Sequence, residues 1–271
     1  SLRSCKDCVY VFQGQDTSSP MANPSGMVID AHVHLKHGDA AATEYPAETI
    51  VRVMDAVGID RSVVFAMSTD SRHAIEMAAA AVMQFPDRLI PYAYALPHYE
   101  RPVIEELAEA IRLGFRGIKL HIGECRLTSY LADPVFRLAG ETGVPCLVDF
   151  GGDLKTAERL ATDFPDTKLI IAHFGRYLCT DPLLMRECLA LAERRPNVWV
   201  DASGVVMPWI VAEGVRRIGA ARLLWGSDGP HTMPDLVSFT AEPLRQIRAL
   251  GLTSEDEAMV LGGTAARLLG V

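Results

Sequence analysis

Residues 28–35 read VIDAHVHL, with His32 and His34 separated by a single valine. Two residues apart on a helix, side chains point in nearly opposite directions and cannot share a ligand. On a strand they point the same way. The stretch therefore predicts a strand with His32 and His34 side by side on one face. Ile29, Ala31, Val33 and Leu35 are expected on the other, against covering helices. The H-x-H spacing alone leaves two readings open: hydrogen-bonded structural histidines, or a pair of ligands.

Outward from this stretch, short β-branched runs alternate with longer helical patterns. The runs after VIDAHVHL are RSVVFAM, LIPYAYAL, GIKLHI, PCLVDF, KLIIAHF, NVWVDASG and RLLWGSD, making eight strand–helix units in all. The runs are almost continuously apolar, as in parallel strands buried on both faces. Helix starts are marked at Pro46, Pro102, the Asp133–Pro134 pair and the Asp181–Pro182 pair, since proline and aspartate suit the first turn. Eight such units predict an α/β fold of the (β/α)8 TIM-barrel class, with its site at the C-terminal ends of the strands. A doubly wound sheet would carry a Gly-rich phosphate turn after the first strand, and AHVHLKHGD is not one. SEDEAMVLGGTAARLLG, at the end of the chain, reads as a closing helix. Residues 1–26 are polar and turn-rich and read as an extension, leaving 27–271 as a single barrel domain.

Composition narrows the function classes. The chain of 271 residues is 49% hydrophobic with a net charge of −8 and no local basic patch, which argues against nucleic-acid and anionic-membrane partners. No apolar run approaches the length of a membrane span. A small-molecule substrate is the expected partner. The six cysteines show no disulfide-scaffold spacing, which suits a reducing cytoplasm. Cys5 and Cys8 form a C-x-x-C without a second pair to complete a zinc site, and they read as part of the tail.

On the barrel scheme every histidine falls at a strand's C-terminal end or in the loop beyond it. His32 and His34 end the first strand, His121 the fourth and His173 the sixth. His37, His73, His98 and His231 lie in the following loops. Histidine serves there as ligand, acid and base. Asp149, Asp201 and Asp228 close the fifth, seventh and eighth strands, as ligands or as caps of the next helix. On GIKLHIGE, Lys119 and His121 share one face while Ile118, Leu120 and Ile122 take the other. A lysine pointing into a barrel is costly unless paired, metal-bridging or reacting. Arg72, Arg126 and Arg176, together with Tyr177 and His231, sit near strand ends as candidate substrate-binding residues. Arginine forks suit carboxylates, which points to a small carboxylated substrate.

The H-x-H, GIKLH, IIAHFG, LLWGSDGP and TAARLLG motifs, in this order over residues 28–271, resemble the amidohydrolase superfamily and its amidohydrolase-related branch of metal-dependent hydrolases and decarboxylases. The resemblance implies a divalent metal, zinc first and manganese second, held by His32, His34 and Asp228. It also implies His173 as a ligand or substrate polariser, Lys119 as a bridge should two metals be present, and a homo-oligomer. The strand-five motif commonly carries a ligating histidine. Here VPCLVDFGG puts Asp149 at that position, so Asp149 or His121 is expected to complete the shell. The implied reaction is hydrolysis of an amide, ester or lactone carbonyl, with Asp228 passing the proton from an activated water to the leaving group. Non-oxidative decarboxylation, metal-free lactone hydrolysis and a catalytically inactive binding barrel are the alternatives.

Overall fold

The apolar runs form parallel strands, and the amphipathic stretches between them form the helices that cover the sheet. The computed structural model describes residues 26–271. All of the 1–26 extension except Gly26, with its Cys5–Cys8 pair, lies outside the described residues. The repeating units are β1 (Ile29–Lys36) and α1 (Ala47–Val57), β2 (Arg61–Ala66) and α2 (Ser71–Gln84), then β3 (Leu89–Tyr94) and α3 (Ile104–Arg112). Next come β4 (Gly117–His121) and α4 (Ser129–Thr142), β5 (Cys146–Asp149) and α5 (Leu154–Asp163), and β6 (Leu169–Ile171) and α6 (Pro182–Arg194). The series ends with β7 (Val198–Asp201) and α7 (Trp209–Ile218), and β8 (Leu223–Leu224) and α8 (Leu236–Arg248).

The strands lie in sequential order, each parallel to the next. The chain beyond the short β8 brings the sheet back to β1. Ala31 N donates to Trp225 O (3.0 Å), Asp228 N to His32 O (3.0 Å) and His34 N to Gly229 O (2.8 Å). Gly226 permits this approach: a Cβ there would lie 2.7 Å from His32 Cβ. The fold is a (β/α)8 barrel. The terminal helix comprises α9 (Ser254–Ala258), a π-turn over Met259–Gly263 and α10 (Thr264–Leu269). Ala265, Leu268 and Leu269 pack on the inward Ile29, Val63, Ile90 and Leu147, closing the barrel's N-terminal end. Among the described residues no helix is long and apolar enough to cross a membrane.

Three local readings of the sequence change. First, β1 is not a regular strand. Its register against β2 advances three residues, Asp30 to Val33, while β2 advances two, Ser62 to Val64. This bulge puts successive residues on the same side. Ile29 and Ala31 therefore pack inside the barrel with the histidines, and only Val33 and Leu35 face the helices. Second, α4 begins at Ser129, ahead of Asp133–Pro134, with Pro134 inside the helix. Proline forfeits one bond to the carbonyl of Tyr130, and burial of Ala132, Val135, Phe136 and Ala139 outweighs that loss. Third, β6 stops at Ile171, and His173 and Phe174 adopt left-handed backbone conformations (φ 58° and 48°) in a tight turn. Asp228 likewise lies beyond β8, at φ 60°. Such conformations cost a non-glycine residue about 1–2 kcal/mol, and both fall at the candidate site.

Candidate metal centre and active site

At the C-terminal mouth of the barrel, β1 presents His32 and His34 opposite Asp228. His32 Nε2 lies 3.0 Å and His34 Nε2 3.2 Å from Asp228 Oδ1. All three side chains are buried. Ligand atoms around a tetrahedral zinc at 2.0–2.1 Å stand about 3.3 Å apart. The donor set, two imidazole nitrogens and a carboxylate oxygen, with spacings of this size, fits such an ion.

The tautomers are prepared for it. The Nδ1–H of His32 donates to Asp201 Oδ2 at 2.8 Å, so its Nε2 carries the lone pair into the site. The Nδ1–H of His173 donates to the carbonyl of Ser203 at 2.9 Å. Ser203 Oγ stands 3.0 Å from both Nδ1 atoms and donates to Asp201. His32, His173 and Asp201 also lie close enough to share an ion, but their facing atoms are already joined in this hydrogen-bond net.

Burial, with Lys119 second, holds the His32 imidazolium well below its ordinary range, and burial holds His34 down at about 4. Both are neutral, as ligands must be. For Asp228, burial alone would favour protonation. The nearby His173, His32 and His34 reverse this and hold it well below the usual carboxylate range. Lys119 is buried, its Nζ 3.2 Å from His32 Nε2 and 5.1 Å from the Phe65 ring centroid. Desolvation lowers its pKa against the opposing pull of Asp149, Asp228 and Asp201.

Asp149 and His121 form a separate group. Asp149 Oδ2 sits 3.3 Å from His121 Nε2 and 3.4 Å from His173 Nε2. His121 Nδ1 also pairs with Glu124. Burial would lower the His121 pKa, but the bonds to Asp149 and Glu124 outweigh it and raise it to about 9. Burial would raise Asp149, but His121 and His173 pull it well below its ordinary range. His173 links the two groups, with Nε2 also 3.9 Å from Asp228 Oδ1. Burial lowers its pKa, and Asp228 and Asp149 more than restore it, leaving it raised.

The candidate substrate residues are spread more widely. Arg72 turns to Glu106 on α3 (3.4 Å) and lines an apolar groove of about 360 Å³ on the barrel's outer wall. Arg126 and Arg176 are exposed, Arg176 Nη2 lying 3.7 Å from Cys179 Sγ. The His231 ring is 4.4 Å from that of His37, itself 4.5 Å from His34, so a line of imidazoles runs from the centre to the rim. Beside it opens a cavity of about 370 Å³ lined by Lys36, His37, Met67, Thr69, Leu96 and Glu124. The Tyr177 ring stands edge-on to His173 at 5.2 Å and fits over Gly204, whose φ of 62° and missing Cβ make room for it.

Sequence reasoning assigned no role to Ser203, Glu124 or Asp30. D-x-S in VWVDASG, spaced as on a strand, is the signal that could have found Ser203. Asp30 Oδ1 accepts from His32 N (3.2 Å) and Ser227 N (2.8 Å), and burial raises its pKa to about 7.

Fold and site together define a barrel enzyme class with a His/Asp cluster suited to a divalent metal at its strand ends. The chain belongs to the amidohydrolase family, whose family model matches residues 29–271. Solved structures agree in fold. A candidate 2-pyrone-4,6-dicarboxylic acid hydrolase from Pseudomonas putida is 25% identical, with 90% of this chain and 97% of that one aligned at a TM-score of 0.71. A zinc-bound amidohydrolase from Burkholderia multivorans is 17% identical over 90% and 99% of the two chains, TM-score 0.72. The 5-carboxyvanillate decarboxylase of Sphingomonas paucimobilis is 16% identical over 90% and 99%, TM-score 0.69. No curated protein matches the sequence.

Proposed function

We propose that this protein is a divalent-metal-dependent hydrolase acting on the ester, lactone or amide carbonyl of a small substrate. The observation that carries the reading is the convergence of two neutral imidazole nitrogens, from His32 and His34, on one oxygen of the ionised Asp228. A bound zinc or manganese supplies Lewis acidity that activates water and polarises a carbonyl. Asp228, kept ionised, takes the proton of the attacking water and hands it to the leaving group. His173, with Nδ1–H committed to Ser203, points its Nε2–H at the oxygen where negative charge develops. The cavity lined by Lys36, His37 and Glu124, next to His34 through the stacked His37 ring, is the proposed way in for the substrate.

A second reading, hydrolysis without metal, is favoured by one observation: Asp149 is tied to His121 and His173 and stands apart from the His32–His34–Asp228 group. Elemental analysis of chelator-free protein, with turnover of a lactone and ester panel and a CO2 assay, separates the readings. About one metal ion per chain, hydrolysis abolished by chelation and loss of turnover in Asp228→Asn are expected. Chelator-insensitive hydrolysis would establish the metal-free reading. Release of CO2 without hydrolysis would make the protein a decarboxylase.

A further inference from the structure

The atoms expected to bind metal come from two segments that no regular ladder joins. His32 and His34 lie on the bulged strand β1, Asp228 lies in the turn beyond β8, and β8 itself ends at Leu224. What holds the segments together is a short set of hydrogen bonds: Ala31 N to Trp225 O, Asp228 N to His32 O, His34 N to Gly229 O, and those to the side chain of Asp30. The first three are peptide bonds' own groups and survive substitution of side chains. The fourth is different. A single oxygen, Asp30 Oδ1, accepts from His32 N on one segment and Ser227 N on the other.

We propose that Asp30 is a positioning residue that sets the spacing between the His32–His34 pair and Asp228, and so the affinity and geometry of the metal site. Its side chain is on the far side of the strand from the site, in contact with the α1–α8 side of the barrel rather than with substrate. It faces Val33, Ile50, Met54 and Thr240 around a small internal space. It acts through the backbone: each N–H it accepts belongs to a ligand or to the residue preceding one. The bulge is what makes this possible. By turning His32 inward directly after Ala31, it leaves the His32 amide directed at the carboxylate two residues before it. Among the described residues Asp30 Oδ2 has no hydrogen-bond partner, and neither does Ser62 Oγ, its register neighbour on β2. The function therefore requires the Oδ1 acceptor in place, and an asparagine amide retains that oxygen while offering an N–H toward Ser62.

This inference rests on the metal-centre reading. The test is zinc affinity by competition with a chromophoric chelator and the visible spectrum of the cobalt-substituted protein, for the full chain and for Asp30→Ala, Asp30→Leu, Asp30→Glu and Asp30→Asn. In Asp30→Ala the zinc Kd is expected to rise about 10- to 100-fold, the size of effect seen when the partner of a metal ligand is lost, with an altered cobalt spectrum. Asp30→Asn is expected to keep affinity within about threefold and to keep the spectrum, whereas Asp30→Leu, of similar size but without the acceptor, is expected to behave as Asp30→Ala, which a merely space-filling role would not give. Should Asp30→Ala not fold, Asp30→Glu decides, because its longer arm moves the acceptor while keeping the charge: a weakened Kd and shifted spectrum support the clamp. Wild-type affinity and spectrum in a folded Asp30→Ala or in Asp30→Glu would overturn it. If the wild-type chain itself binds neither zinc nor cobalt, the metal-centre reading falls and the clamp falls with it, an outcome distinct from intact binding in all variants.

Discussion

His34 and His121 sit at the ends of β1 and β4 of the same barrel, yet their environments drive them in opposite directions. His34 is buried, and its one carboxylate neighbour, Asp228, is shared with His32. Desolvation wins, and the imidazole is neutral down to about 4. His121 keeps part of its ring in solvent and faces a carboxylate on each nitrogen, Glu124 on Nδ1 and Asp149 on Nε2, so charge pairing wins and the proton stays to about 9. The lesson is that a strand-end histidine is a ready ligand only when burial outweighs its carboxylates. With both nitrogens paired to carboxylates, His121 is placed to hold Asp149.

The sharpest test of this contrast is to remove a ligand from the first group. Asp228→Ala or His34→Ala should lose metal and lower kcat/KM by about a thousandfold or more, read by elemental analysis and steady-state kinetics. A variant with normal metal content would break the comparison at its root. His121→Gln should retain about one metal per chain while turnover falls about tenfold, since it reaches the first group only through Asp149, the partner of His173. Loss of metal in this variant would instead put His121 in the shell. In the metal-free protein, NMR titration should find His34 changing charge near pH 4 and His121 near pH 9.

The smallest expected effect concerns stability. His121 is raised above its unfolded value, so its pairing stabilises the fold fully below about pH 6.5 and loses that contribution as pH rises through about 9. Glu124→Gln should therefore cost about 0.5–1 kcal/mol in denaturant unfolding at pH 6, with the difference shrinking by pH 10. His34 works the other way. Its folded pKa is depressed, so metal-free protein should lose stability as pH falls from about 6.5 to 4, where the unfolded chain takes up the proton first.

Much of this was legible in residues alone. Alternating apolar and amphipathic runs announced the barrel, because strands buried on both faces and helices buried on one have different periods. The H-x-H pair, LLWGSD and IIAHFG announced the site, because barrel chemistry gathers at strand ends. Less was legible about direction. The reading of β1 as a regular strand put Ala31 on the helix side, since alternation cannot show a bulge that depends on pairing with β2. Arg72, two residues into α2, was grouped with substrate contacts by its place after a strand, yet its side chain follows Glu106 onto the outer wall.

Local sequence determined the alternation of elements, the residue types at each strand end and the family pattern, all of which depend on neighbours along the chain. Tertiary structure alone decided which of those polar groups share a proton, a carboxylate or a ligand. Asp228 meets His34 across 194 positions, and Asp201 meets His32 across 169. The charge state of each histidine follows from those long-range partners and from burial, neither of which is written in the residue's own neighbourhood.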